Sequence, residues 1–401
     1  MLAPLRDPGS QYGRLLRRPR YRGFILTVAL ARTSGAMFTV AGVLLVLDRT
    51  GSASIAGLTA AATVLPGALS GPLLGAWLDV VRRRRLLIVV DQLASVISLG
   101  LMLTLAGHVP NWTLPLIGIL YSVTRPFSVG GFYAAMVEIT GTELLAPASA
   151  IEATSLNMAI VLGPALAGVL IGVIGVAGTV EVQVLITLVV AGLIALNPAF
   201  GAQPEQRTPS ILTAMRAGTR ALIHTVELRA SVLGSALSSA GWSLMFVGFP
   251  LYCTHILAAG AHDGGYLWAA LGVGSILGTF VLGRNPSLRR SALSYGVLGL
   301  SALLWPLVHE LVLGILLVGL TGLLEGPAFS GSVALRQRHI PPEVRAQVST
   351  TVVGVIQMVS SAGAAAGGVI AEPVTLIYLF VALNLAAAGV ALLGARGTAV
   401  V

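Results

Sequence analysis

Four consecutive arginines, at positions 82–85, separate two apolar stretches at residues 54–78 and 86–107. A helix crosses the hydrocarbon of a bilayer in about 20 residues, and a row of four guanidinium groups does not enter that hydrocarbon. The two stretches are therefore predicted to be membrane helices joined by a turn at one membrane surface. Because cytoplasmic loops carry the excess of arginine and lysine, that surface is predicted to be the cytoplasmic one.

Composition agrees with a membrane protein and excludes several function classes. Of the 401 residues, 56% are hydrophobic and 10% are charged, whereas a soluble domain carries about 25% charged residues. The net charge of +9 is spread between apolar stretches and forms no stripe for nucleic acid. All 24 basic residues are arginine, which excludes a lysine-dependent phosphate loop and Schiff-base chemistry. Cys253 is the single cysteine and no histidines are paired at ligand spacing, so neither a metal site nor a cofactor is expected.

The apolar stretches predict an all-α integral membrane protein with twelve transmembrane helices in two pseudo-symmetric six-helix halves. This topology places both termini and 21 of the 24 arginines in the cytoplasm. Arg49 is the one arginine in a predicted outer loop, and Arg32 and Arg125 lie within predicted spans. The predicted spans are 23–47, 54–78, 86–107, 113–136, 150–173, 180–198, 230–256, 263–283, 291–309, 311–334, 346–370 and 373–394. The predicted units are a tail at 1–22, halves at 23–198 and 230–395, a linker at 199–229 with an amphipathic helix, and a tail at 396–401.

The two halves repeat each other in sequence. A shift of 200 positions places Gly163 on Gly363 and Gly168 on Gly368. Two similar helical halves around a site at the middle of the membrane are typical of secondary transporters.

Three motifs carry a family resemblance. The turn between helices 2 and 3 has Gly75, Asp79, Arg83 and Arg84 in a Gly-x-x-x-Asp-basic-x-Gly-basic-basic pattern, with Val80 and Arg82 departing from it. Helix 5 contains a Gly-x-x-x-Gly-Pro-x-x-Gly-Gly-like run, with alanine at its first and ninth positions, and helix 4 contains an Arg-Pro pair. The residues of these last two motifs are Gly163, Pro164, Gly168, Arg125 and Pro126.

With these motifs the chain resembles the major facilitator superfamily, and within it the twelve-helix exporters of drugs and metabolites. The resemblance implies that the turn between helices 2 and 3 latches the two halves together and that helix 5 acts as a packing hinge. Asp91 and Glu138, near the cytoplasmic ends of helices 3 and 4, are assigned to the same latch. A plain basic loop that only fixes topology and ordinary small-residue packing are the simpler interpretations.

Three charges lie deep within the predicted spans: Arg32, Arg125 and Glu325. An arginine at mid-helix costs about 2.5–3.5 kcal/mol on insertion scales, so such residues are usually functional. We expect Arg32 and Arg125 to line a central cavity and Glu325 to face it as a proton carrier, because an acid that is dry in one conformer and paired in another changes its proton affinity. The alternative is a static ion pair between Arg125 and Glu325.

The predicted function is proton-coupled export of small hydrophobic compounds by alternating access, by a monomer in a bacterial plasma membrane. Its partners would be the lipid bilayer, a small-molecule substrate and protons, with no nucleic acid. Uptake or exchange of an organic anion attracted by the two intramembrane arginines is the alternative within transport. A lipid-modifying enzyme would need a catalytic cluster that the sequence lacks, so the protein is not expected to be an enzyme, and a non-transporting sensor is the remaining alternative.

Overall fold

The computed structural model describes residues 8–81, 83–201, 220, 223–282, 287–339 and 345–397, and these ranges contain helices and no strand. Most of the predicted amphipathic linker helix lies outside them. Eight helices of the described residues are long and apolar enough to cross a membrane. In chain order the α-helices are α1 Pro8–Leu16, α2 Pro19–Thr50, α3 Ala53–Ala62, α4 Leu65–Val80, α5 Arg84–Leu105, α6 Thr113–Val123, α7 Arg125–Leu196, α8 Val226–His255, α9 Gly264–Leu282, α10 Leu288–Ala302, α11 Leu311–His339, α12 Arg345–Ile370 and α13 Pro373–Gly397.

Helix α7 is three successive rods. Its backbone leaves helical geometry at Gly141 (φ 62°) and Gly175 (φ 78°), two positive φ values that glycine adopts without a Cβ penalty. The three arms, 125–140, 142–174 and 176–196, coincide with parts of predicted helices 4, 5 and 6. Each predicted span thus overlaps a helical segment, while the count of twelve crossings remains a prediction.

Two predicted spans are broken in the middle. Predicted helix 2 divides into α3 and α4 at Thr63 and Val64, because Pro66 has no N–H to bond to the carbonyl of Ala62 four residues earlier, and its ring would clash with that carbonyl in a continuous helix. Predicted helix 4 divides at Thr124, ahead of Pro126. The expectation of continuous helices over 54–78 and 113–136 was wrong at these two points.

The ninth predicted span, 291–309, also contains a helix that ends earlier than predicted. Helix α10 stops at Ala302, and a 3₁₀ turn, Trp305–Leu307, follows it. Trp305 is fully buried, its ring stacks on Phe380 at 5.4 Å, and its carbonyl accepts a hydrogen bond of 2.6 Å from Tyr252. Side-chain packing therefore fixes a turn where hydropathy alone predicts a longer helix.

The sequence repeat is visible as two pairs of equivalent glycine contacts. A Cβ on Gly163 would lie 2.4 Å from the Cβ of Ala36 in α2, and one on Gly363 would lie 2.5 Å from the carbonyl oxygen of Ala240 in α8. The first contact lies within the N-terminal half and the second within the C-terminal half. Such small residues allow two helix backbones to approach closely in a membrane, so the repeat preserves the helix-packing positions of each half.

The second pair of glycine contacts joins the halves. A Cβ on Gly168 would lie 1.9 Å from the carbonyl oxygen of Gly265 in α9, and one on Gly368 would lie 2.6 Å from the carbonyl oxygen of Ala53 in α3. The hydroxyl of Ser54 also donates to the Gly368 carbonyl at 2.9 Å. We call this end of the bundle, where 53–57 packs on 364–368 and 168–172 packs on 265–266, the closed end.

Candidate functional site

Arg32 forms an ion pair with Glu152. The pair joins α2 to the second arm of α7, and a second guanidinium nitrogen of Arg32 donates to the Glu152 carbonyl at 3.0 Å. The two side chains are only 14% and 20% exposed. An arginine whose charge is balanced in this way is a poor attractor for an anionic substrate.

Arg125 lies at the break in predicted helix 4. Its guanidinium carbon is 5.5 Å from the centre of the Tyr121 ring, in a cation–π arrangement. A Cβ on Gly35 would lie 2.6 Å from a guanidinium nitrogen of Arg125, so this glycine makes room for the cation beside α2. No ion pair joins Arg125 to Glu325, both of which the structure describes, and the alternative of a static pair between them is not what the structure contains.

Asp91 is fully buried and bonds to the same break. Its carboxylate accepts hydrogen bonds from Thr124 at 2.8 Å, from Ser128, and from the side chain of Gln92 at 3.1 Å. Asp91 also lies within electrostatic reach of Arg125. Its assignment to the latch remains a prediction, and its observed contacts are with the helix break.

The breaks in predicted helices 2 and 4 are hydrogen-bonded to each other. The N–H of Gly67 donates to the hydroxyl of Ser122 at 2.8 Å, and the hydroxyl of Ser70 donates to the Val123 carbonyl at 2.9 Å. Side-chain hydroxyls thus satisfy backbone groups that the interrupted helices leave free. Irregular backbone inside a transporter commonly lines its binding cavity.

Glu325 lies in α11. The adjacent Gly326 packs closely against α9, because a Cβ on Gly326 would lie 2.1 Å from the carbonyl oxygen of Ser275. The indole of Trp242 lies beside the carboxyl group, but its N–H does not meet hydrogen-bond geometry, and Oε2 of Glu325 is buried with no hydrogen-bond partner among the residues that the structure describes. Tyr295 is within electrostatic reach. An unpaired buried carboxyl group is costly to an apolar core, which makes this residue a functional candidate.

Aromatic side chains surround Trp242. Its ring centre is 4.6 Å from that of Phe380 and 6.1 Å from that of Trp268, and Phe246 lies 5.2 Å from Trp268. Phe380 and Trp268 belong to a buried core that contains residues of both halves, and Trp242 and Phe246 pack against it. Trp242 and Trp268 therefore act at least as packing residues.

A further, partly buried arginine was not predicted from the sequence as a site residue. Arg336 was counted in the loop after predicted helix 10, but α11 continues to His339, and the guanidinium of Arg336 donates to the hydroxyl of Ser235 at 2.7 Å. The hydroxyl of Tyr295 contacts Ser235 at 3.3 Å and Ser332 at 2.9 Å. A polar chain thus runs from Arg336 to Tyr295, near Glu325. The signal was available in the helical spacing of Ser332 and Arg336.

The predicted latch residues are only partly described. Gly75 and Asp79 lie within α4, and their surroundings are outside the described part of the chain. Arg83 is exposed, whereas Arg84 is buried and donates to the Leu78 carbonyl of its own half at 2.8 Å. Glu138 is exposed and lies within electrostatic reach of Arg84. The latch stays a prediction.

The helix 5 motif faces two directions. Gly163 contacts α2 within its own half, and Gly168 contacts α9 of the other half. Pro164 lies between them, in the second arm of α7. One short motif therefore connects packing inside a half with packing across the halves, and its role as a hinge remains a prediction.

A cavity of about 30 Å³ lies between the halves, next to the break in predicted helix 2. Helices α2, α3, α8 and α12 and the break itself line it, and its polar side chains are hydroxyls. This volume accommodates a water-sized group and no complete organic substrate. Among the described residues no group of three potential metal ligands is found.

Comparison with known proteins identifies the family of this chain and two relatives that match it over most of its length. The sequence model of the Major Facilitator Superfamily matches residues 24–368. The uncharacterized MFS-type transporter y4rN of Sinorhizobium fredii is 26% identical over 95% of this chain and 96% of its own. The multidrug efflux pump Tap of Mycolicibacterium fortuitum is 25% identical over 90% of this chain and 91% of its own.

Solved structures agree at the level of fold. The POT family transporter PepTSo superposes with a TM-score of 0.68 and 13% identity, covering 98% of this chain and 99% of that one. The nucleoside transporter NupG, solved as a point mutant, gives a TM-score of 0.64 and 13% identity over 94% and 98% of the two chains. The predicted all-α membrane fold and the resemblance to this superfamily are confirmed: this chain is a multi-pass membrane transporter that belongs to the Major Facilitator Superfamily.

Proposed function

We propose that this transporter exports small hydrophobic compounds in exchange for protons, by alternating access of a cavity between its two halves. In the conformation described here the halves meet at the closed end. With the orientation that the arginines predict, the closed end faces the outside, and substrate enters from the cytoplasm. We place the protein in the plasma membrane as a monomer.

Glu325 carries the proposal of proton coupling. Its carboxyl group lies in the C-terminal half beside the indole of Trp242, and one of its oxygens is buried with no hydrogen-bond partner in the described part of the chain. A rocking motion that exposes this group to water in one conformer and dries it in the other changes its proton affinity. Substrate binding and protonation of Glu325 would then alternate between the two conformers.

Two observations support a neutral, hydrophobic substrate. The charge of Arg32 is balanced by Glu152, and the cavity between the halves has no charged side chain in its described lining. The proposed direction, export, is supported by the similarity to an efflux pump at 25% identity.

The test is drug-driven proton flux in proteoliposomes with an imposed pH gradient. Glu325→Gln is expected to abolish proton movement coupled to ethidium or Nile red, because the amide cannot ionise. The matched control is Glu310→Gln, at an exposed carboxyl group before α11. Coupled flux that persists in Glu325→Gln would remove this residue from the mechanism.

Uptake or exchange of an organic anion is the second candidate. It is favoured by Arg125, whose side chain lies over Tyr121 and, among the described residues, in no direct ion pair. Accumulation of anionic substrates in right-side-out vesicles, with no efflux of hydrophobic dyes, would favour this alternative. The reverse result would favour export.

A further inference from the structure

The cavity between the halves has the chemistry of a specific subsite. It lies against α2, α3, α8 and α12, so both halves contribute to it. Its polar lining consists of threonine and serine hydroxyls, and none of its described lining side chains is charged. A charged ligand group would lose its hydration there without gaining a counter-charge.

Thr59 provides the first sign that a ligand group belongs in this cavity. Its side chain is 2% exposed, it belongs to the cavity lining, and its hydroxyl is buried with no hydrogen-bond partner among the described residues. Buried hydroxyls in folded proteins are nearly always paired. A ligand that supplies a hydrogen-bonding group would satisfy this one.

The other lining hydroxyls act mainly as acceptors. Thr39, Thr63 and Ser361 donate their hydrogens to carbonyls of their own helices, at 2.7, 2.7 and 2.8 Å. Their oxygen lone pairs remain available. The hydroxyls of Ser243 and Ser360 bond to each other at 2.5 Å across the wall.

The helix break adds a backbone acceptor at the same place. Thr63 and Val64 line the cavity and form the break. Beyond it, the Gly67 N–H donates to Ser122 instead of continuing the helix to the Thr63 carbonyl. Unwound carbonyls of this kind are recurrent ligand contacts in transporters.

We propose that this cavity is a subsite for a small uncharged hydrogen-bond donor, a hydroxyl or an amide N–H, carried by an otherwise hydrophobic substrate. The volume of about 30 Å³ admits one such group, while the apolar body of the substrate stays outside the cavity. This inference rests on the proposed function and names its substrate class as neutral hydrophobic alcohols and amides.

Binding of matched fluorescent probes to the purified protein in nanodiscs tests the subsite, with protein-free nanodiscs correcting for partition into lipid. The wild type is expected to bind 1-pyrenemethanol about five- to tenfold more tightly than 1-methylpyrene, the effect of one neutral hydrogen bond. Thr59→Val should lose that preference while binding of 1-methylpyrene stays within about twofold. Thr59→Ser should keep the preference.

Thr104→Val is the matched control, because Thr104 is an exposed threonine of α5 outside the cavity lining. If Thr59→Val does not fold, Ser361→Ala provides the same test. Equal binding of alcohol and hydrocarbon by the wild type would overturn the proposal, as would an unchanged preference in the folded cavity variants. Tighter binding of 1-pyrenecarboxylate than of the alcohol would overturn it as well. The assay has no proton gradient, so its outcome is independent of proton coupling.

Discussion

A methyl group added at the closed end should push the two halves apart, and the effect should be larger where its steric overlap with the other half is larger. In Gly168→Ala the new Cβ would lie 1.9 Å from the Gly265 carbonyl oxygen, and real Cβ contacts are essentially never below 3.0 Å. The two helices must therefore separate by at least 1.1 Å, the difference of these two distances. Overpacking of this kind costs about 1–3 kcal/mol, which shifts a two-state ratio by roughly 5- to 150-fold.

Two further variants make the prediction quantitative. Gly368→Ala meets Ala53 at 2.6 Å and should shift the ratio less. Gly389→Ala in α13 meets nothing within 4 Å and should leave it unchanged.

Asp48 and Glu310 are exposed residues on different halves. Spin labels attached to cysteines that replace them would report the distance between the halves by pulsed electron paramagnetic resonance. We expect the long-distance population to increase from Gly389→Ala through Gly368→Ala to Gly168→Ala. Identical distance distributions in all three variants would refute the close contact of the halves at this end.

Three other perturbations have defined outcomes. Glu152→Gln leaves Arg32 without its counter-charge, so it should lower stability by about 3 kcal/mol in a detergent melting series, whereas Arg32→Gln in the same background should recover part of the loss; an unchanged melting temperature would mean that the pair is solvated. Tyr295→Phe removes a hydroxyl that contacts two serines and should lower the free energy of unfolding by about 0.5–1.5 kcal/mol. The same melting series measures this effect, and an unchanged melting temperature would mean that the two contacts are absent. Glu372, outside the spans at the start of α13, accepts from two backbone N–H groups, and the bonds to Thr375 lower the pKa of its carboxyl group. That stabilisation, about 0.5 kcal/mol for an exposed cap, should therefore be present at neutral pH and lost as the pH falls through the lowered pKa, and Glu372→Gln should flatten this acid dependence of melting.

The sequence alone determined the architecture of this protein. Long apolar stretches admit only helices in a bilayer, because every backbone polar group there must be paired within the segment. The 200-residue repeat identified the packing positions as well, since Gly163 and Gly363 occupy equivalent contacts in the two halves. Arg32, Arg125 and Glu325 were found because an ionisable residue in an apolar stretch is visible without any structure.

The partners of those charges depended on the tertiary structure. Arg32 and Glu152 are 120 positions apart, and no local pattern in the sequence indicates that their helices are neighbours. The same holds for the break at Thr63 and Val64, which forms the wall of a cavity because α3 packs against α2, α8 and α12. Helix formation in a membrane is a local matter of hydrogen bonds and hydropathy, whereas pairing and cavities arise from contacts between segments distant in sequence.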